Sequence, residues 1–311
     1  MKRLSLGKYA LNGGVAALLL AGCGGSQPIA APVATSSATL AGYPTIAPDK
    51  HAKAKIFEYV ANATDIGIFD YPKSDRQIGS FDAAGGQECT NVLYGSGKEI
   101  FWVVAGEAQI TEYQLPKKAI ETLSDSVGPP SSCAMDNTGD LAVGILTNGD
   151  IDIFRHAKGS GTVMSSTLAK EYFDGYDNKG NLFADGFSNG SGFELVELPK
   201  GSGTFETITT SNTVQFPGSV QWDGKYLTVA DQSASALYRY TVKGTTATLM
   251  GTISLTGAGD CAQTWIAKSI LYCADAGNAA TEVFNYPAGG SPIAILAGNS
   301  NAPLGVVAVE K

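Results

Sequence analysis

RHAKGSGTV at 155–163 and ELPKGSGTF at 197–205 are two copies of one feature, 42 residues apart. In each, the core Lys-Gly-Ser-Gly-Thr (158–162 and 200–204) puts glycines where a tight turn needs positive φ. Just ahead of each core lies a short patterned segment, and that segment recurs along the chain. Its last residue is Tyr71, Tyr113, His156, Leu198, Tyr240 or Tyr286, at intervals of 42, 43, 42, 42 and 46. Three positions earlier the residue is always apolar (Ile68, Ile110, Ile153, Leu195, Leu237, Val283). One position earlier it is always polar (Asp70, Glu112, Arg155, Glu197, Arg239, Asn285). This is a short strand with one buried face, followed by a hairpin.

Further strands surround it in each repeat. Leu141–Val143, Leu182–Ala184, Tyr226–Ala230 and Ile270–Ala274 read as second strands after turns such as Asp136–Gly139, Asp177–Gly180 and Asp223-Gly224. Ser132–Met135 and Ser219–Trp222 read as first strands, and fourth strands follow the KGSGT-type turns. Four short strands per repeat of about 43 residues make a β-propeller blade. The 258 residues of 54–311 hold six such repeats. The expected fold is therefore all-β, a six-bladed propeller of four-stranded blades. Ile56–Val60 behaves as a second strand with no first strand before it. Pro303–Val309, at the far end, is expected to supply that strand and close the ring, which also removes an exposed sheet edge.

Tyr59-Val60-Ala61-Asn62, Val229-Ala230-Asp231 and Cys273-Ala274-Asp275 resemble the second-strand motif of NHL-repeat and YVTN-type propellers. The second and third repeats depart from it, with Gly106 and Gly144 near the Asn/Asp position.

The N-terminus carries an address. Lys2, Arg3 and Lys8 precede the apolar run Val15–Leu20 and the small pair Ala21-Gly22, the pattern of a secretory signal peptide. Leu20-Ala21-Gly22-Cys23 resembles the lipobox of bacterial lipoproteins. That resemblance implies cleavage after residue 22 and a thiol and amino group of Cys23 carrying diacylglyceryl and palmitate-type acyl chains, a stable anchor. Gly24 is not the aspartate that retains such proteins in the inner membrane, so the implied address in a Gram-negative cell is the outer membrane. Residues 23–53, rich in Ser, Ala, Pro and Gly, read as a flexible tether. Residues 1–22 are then the signal peptide and 54–311 the propeller.

With 21 basic and 29 acidic residues the formal net charge is −8, which argues against nucleic acid and electrostatic docking on anionic lipid. Glycine, at 38 residues, suits an all-β chain rich in tight turns. Cys89, Cys133, Cys261 and Cys273 remain once Cys23 is lipidated, and an even remainder in an exported protein reads as disulfides. Cys89 and Cys133 sit at like places in neighbouring repeats, and Cys261 and Cys273 in adjoining strands of one. The favoured pairing is Cys89–Cys133 with Cys261–Cys273. Zinc is the alternative, without a CxxC pair to support it.

Chemistry is sparse. Gly186–Gly190 fits GxSxG, but that elbow needs a strand-to-helix turn, and a hairpin loop is expected instead. His156 holds a repeat position occupied elsewhere by Tyr or Leu, which predicts a packed residue, and His51 lies by the tether. Asp136–Asp140 and Asp174–Asn178 could suggest calcium, though both overlap turns where Asp and Asn hydrogen-bond the backbone. Asn62, Asp185, Asp231 and Asp275 sit at equivalent strand ends. They resemble the layout of gluconolactonase-type six-bladed propellers, which implies one divalent, calcium-like cation there and a lactone hydrolase. Each could instead cap its own turn. Trp102, Trp222 and Trp265 fall in or beside strands, as core or as a sugar platform. The reading that follows is a lipid-anchored binding module of the cell envelope with no cofactor, taking a protein, glycan or small ligand. A metal-dependent hydrolase and an envelope-assembly scaffold are its alternatives.

Overall fold

The computed structural model describes residues 56–83, 86–90, 100–105, 109–114, 118–124, 128–190, 192–297 and 302–310. The expected signal peptide and tether, with Cys23, and Gly106 lie outside these. The described chain is all-β. Its strands form antiparallel four-stranded meanders in sequence order: β4–β7 (Gln87–Cys89, Ile100–Ala105, Gln109–Gln114, Lys118–Ser124), β8–β11 (Pro130–Met135, Leu141–Ile145, Ile151–Phe154, Thr162–Met164), β12–β15 (Lys170–Tyr176, Leu182–Phe187, Phe193–Leu198, Glu206–Thr210), β16–β19 (Pro217–Trp222, Leu227–Asp231, Ala236–Lys243, Thr246–Ser254) and β20–β23 (Cys261–Ala267, Ile270–Asp275, Ala280–Asn285, Ala294–Leu296), plus β1–β3 (Ile56–Ala61, Asp65–Asp70, Ser74–Asp82) completed by β24 (Gly305–Glu310). The meanders β12–β15 and β16–β19 join into one eight-stranded sheet. The join is a short parallel pairing of Thr209 and Thr210 in β15 with Thr246 and Ala247 in β19.

The expected second strands are β9 (Leu141–Ile145), β13 (Leu182–Phe187), β17 (Leu227–Asp231) and β21 (Ile270–Asp275). The expected first strands are β8 (Pro130–Met135) and β16 (Pro217–Trp222). In the KGSGT turns, Gly159 and Gly201 have φ of 71° and 78°, with no atom near a Cβ at either position. Handedness of the backbone, not lack of room, requires glycine there. Asp136, Asp177 and Asp223 each accept backbone amides two to four residues on, at 2.6–2.9 Å. The neighbouring Gly139, Gly180 and Gly224 have φ of 92°, 85° and 96°. The Asp–Gly turns are thus one Asx device used three times.

Hydrophobic clusters lie between neighbouring sheets rather than within one. Cys89, Ile110 and Leu123 pack on Cys133, Leu141 and Phe154. Phe173, Phe183 and Leu195 pack on Val220, Leu227 and Tyr240. Tyr59, Phe69 and Val307 pack on Tyr272 and Val283. Five of the six repeat-end residues are buried or half-buried, as the period predicts. His156 is the exception and corrects the expectation of a packed residue: its side chain is 74% exposed. The chain enters a single 3-10 turn at Arg155–Ala157 with His156 at φ 52°, which turns the imidazole away from the sheet.

The first strand of each meander touches the first strand of the next in a cycle: β24, β4, β8, β12, β16, β20 and back to β24. β24 (Gly305–Glu310) pairs antiparallel with β1 (Ile56–Ala61) over their whole length, so the chain's last strand completes its first sheet. Gln263 of β20 fastens this seam. Its Oε1 accepts the Glu88 and Val306 amides, both at 3.0 Å, and its Nε2 donates to the Glu88 carbonyl at 2.7 Å. One side chain thereby ties β20, β4 and β24 together. Gly305 lets the strands approach: a Cβ there would lie 2.3 Å from the Gly86 carbonyl oxygen. Cys89 is bonded to Cys133, joining β4 to β8, and Cys261 to Cys273, joining β20 to β21. The separations of 44 and 12 residues correspond to about 4 and about 3 kcal/mol in the chain-entropy account.

Candidate functional site

The first strands carry an unusual load of polar residues for the middle of a protein. Glu88, Ser132, Glu171, Asp174, Ser219, Gln263 and Thr264 are all buried. Four of these strands are irregular where they pair with the second strand: at Pro130/Ser132, Glu171/Phe173, Pro217/Val220 and Cys261/Gln263. A bulge breaks the strict alternation of faces and re-aims a side chain. Here it brings hydroxyls, amides and carboxyls to the strands' shared side.

Some of these groups hold the first strands together. Gln87 Nε2 of β4 donates to the Tyr172 carbonyl of β12 at 3.1 Å, passing over β8. The Thr264 amide donates to Ser219 Oγ at 2.7 Å. Gln221 makes two bonds to the Ile266 backbone, accepting at 2.8 Å and donating at 3.2 Å.

The carboxyls are less ordinary. Glu171 accepts from Ser131 Oγ and Ser132 Oγ at 2.5 and 2.6 Å. Its carboxylate fills the space above Gly144, where a Cβ would lie 1.8 Å from Glu171 Oε2 and 2.5 Å from Ser132 Oγ. This explains why the third repeat lacks a polar side chain at that position. Burial pushes Glu171 up to about 7, opposed by the two serine hydroxyls. Asp174 lies close by, and neither of its oxygens has a partner of hydrogen-bond geometry. Burial and then the Glu171 carboxylate drive it well above the usual range. Ser132, already donated to Glu171, opposes this only in part. Asp185 is raised by the same causes in the same order, and its Oδ2 accepts the Gly218 amide at 3.2 Å. Burial also raises Glu88. At the closing seam Glu58 rises to about 7 by burial. This happens although it accepts the Tyr71 amide at 2.9 Å and the Tyr272 hydroxyl at 2.7 Å.

A cavity of about 100 Å³ opens among the first strands, lined from β4, β8, β12, β16 and β20. Its walls include Gln87, Met135, Asp174, Tyr176, Trp222 and Trp265. Trp222 and Trp265 thus serve core and cavity wall together. Trp102 lies in β5, opposite Cys89.

The expected metal set divides by use. Asp231 accepts the Gln215, Phe216 and Ala234 amides at 2.7, 3.3 and 3.1 Å. Asp275 accepts the Gly259, Asp260 and Asn278 amides at 2.6, 2.8 and 2.9 Å. Asn62 donates to Asp65 Oδ1 at 3.1 Å. Asn62 therefore serves its own turn, Asp231 and Asp275 pin their own turns to the loops that lead into β16 and β20, and Asp185 alone belongs to the buried carboxyl group beside β12. Among the described residues the one trio of His, Cys, Asp or Glu with atoms close enough for a shared ion is Cys261, Cys273 and Asp275, whose cysteines form the disulfide. Ser188 lies in the hairpin between β13 and β14, where its amide donates to the Gly192 carbonyl at 2.9 Å.

Glu171 and Gln263 were missed by motif reading. The usable signal was a polar residue recurring inside buried first strands: Glu88, Ser132, Ser219 and Gln263 are 44, 87 and 44 residues apart, close to one, two and one repeats.

No protein-family model matches the chain, and no curated protein is significantly similar to it. Solved structures do share its fold. A protein of unknown function from Bacteroides caccae matches with a TM-score of 0.61 at 11% identity, over 82% of this chain and 99% of that one. A chain of a nidogen/laminin complex matches with 0.63 at 10%, over 82% and 98%. A functionally unknown protein from Desulfotomaculum acetoxidans matches with 0.54 at 12%, over 82% and 88%. At such identities only the fold is shared.

The buried acids make stability run opposite to the usual acid sensitivity. Glu58, Glu171 and Glu282 have folded values of about 7 against 4.5 when unperturbed. The folded state therefore binds more protons between these limits. The stability that this supplies is full below about 4.5 and lost as pH rises through 7. The melting temperature should fall by several degrees from pH 5 to pH 8, and Glu171→Gln should flatten that slope. Differential scanning calorimetry checks this, and a melting temperature that climbs with pH would contradict it.

Proposed function

We propose that the chain is an exported, lipid-anchored six-bladed β-propeller that works as a binding module of the cell envelope. The cyclic contact of six first strands and the pairing of β24 with β1 support the propeller. The lipobox-like Leu20–Cys23 supports the anchor.

The observation that carries the binding role is the cavity among the first strands, lined from five of them and rich in polar groups. A rigid ring that converges polar side chains on one concavity is a usual place for a ligand. Binding is favoured over metal-dependent hydrolysis because Asp231 and Asp275 already accept several backbone amides, from their own turns and from the loops that lead into β16 and β20. A glycan, a peptide or a small molecule would meet the cavity at the hub, with the tether holding the ring away from the membrane.

A thermal-shift screen of glycans, peptides and small metabolites tests the site. The expected result is a ligand that raises the melting temperature of the unmodified chain by several degrees and does not shift Met135→Trp, in which the cavity wall is filled. Ligand shifts that all survive that substitution would move the function away from the hub. For the anchor, mass spectrometry of the membrane-extracted protein should give a chain starting at Cys23 with added acyl mass. A chain starting there without it would remove the lipid from the account.

A further inference from the structure

Among the described residues, the cavity between the first strands is lined by no lysine, arginine or histidine, whereas Asp136, Asp174 and Asp177 all border it. Asp136 and Asp177 are engaged by the amides of their own turns. Asp174 is different: it is buried beneath the cavity floor, and neither carboxylate oxygen has a hydrogen-bond partner. Its neighbours are Glu171 and Asp185, with Ser132 approaching from β8, and no basic group stands beside it among the described residues.

The walls are aromatic, with Phe173, Tyr176, Trp222 and Trp265. The Tyr176 hydroxyl is raised first by burial and then by Asp174, Asp136 and Asp140. The indole N–H groups of Trp222 and Trp265 lack partners as well. An anion would meet carboxylates with no compensating cation. A purely apolar guest would leave the buried donors and acceptors unpaired, which is costly. A positively charged donor answers the carboxylate, aromatic faces attract a cation, and oxygens on the same guest can accept from the indoles.

We infer that the hub cavity is a site for a small organic cation, a primary ammonium group on a hydroxylated frame, seated between Trp222, Trp265 and Tyr176 over Asp174. This rests on the hub as the binding site and adds the chemistry of what binds there.

Glucosamine, glucose and glucuronate share one ring and differ in charge, so titration calorimetry of the full-length chain with each reads the inference directly. Glucosamine should bind at least tenfold more tightly than glucose, and glucuronate should give no binding. In Asp174→Asn the affinity for glucosamine should fall to that for glucose. The ranking in the unmodified chain decides by itself if that variant does not fold. Glucose binding as tightly as glucosamine, or glucuronate binding more tightly than either, would overturn the cation while leaving the hub a binding site. No binding of any of the three would also overturn it, and the separate screen with Met135→Trp then decides whether the hub binds at all.

Discussion

The pairing of β24 with β1 is the constraint on which the rest depends. Six backbone positions on each strand are matched, and the partners lie at opposite ends of the described chain. Without this pairing the first sheet has an open edge and the cycle of first strands has a gap. Such a long-range contact is entropically costly to form, so local features must favour it. Gly305 supplies the clearance and Gln263 the hydrogen bonds across the seam. The Tyr272 hydroxyl reaches Glu58 from the neighbouring sheet. The Cys89–Cys133 bond then holds the adjoining pair of sheets.

Once the first strands are brought together, most of their side chains are buried. In most cores that would select apolar residues. Here it concentrates serines, glutamines and carboxyls, and the consequences are chemical. Serine hydroxyls and a glycine opposite accommodate Glu171. Asp174 is left without a partner, and burial raises these acids above the usual carboxylate range. A folded state that keeps such groups is less stable than one with an apolar centre. That is a physical reason to look for function among the first strands rather than on the outer strands. The outer strand β19, by contrast, alternates buried and exposed residues in the ordinary way.

Much of the architecture was legible because one period of about 43 residues governs both turn chemistry and burial. The Lys158 and Lys200 turns, the Asp136, Asp177 and Asp223 turns and the apolar positions from Ile68 to Val283 could each be read locally. His156 escaped because a left-handed residue is a tertiary outcome, not a composition. The site was harder. Asp231 and Asp275 form a visible series, yet what makes them a series is a shared role in holding the loop before the first strand to the end of the second. Glu171 and Asp174 lie three residues apart on either side of a bulge, so strict alternation would have put one of them on the wrong face. Their meaning depends on Ser131 and Ser132, about 40 residues earlier in the chain, and on Gly144 in the strand beside them.

Hydrogen exchange of the closing strands tests this account most directly. The amides of 306–309 and 57–61 should exchange only through global unfolding, as slowly as those of β13 and β17 and with the same dependence on denaturant. Exchange of 306–309 within minutes, while β13 and β17 stay protected, would show that the C-terminal strand does not hold the ring closed.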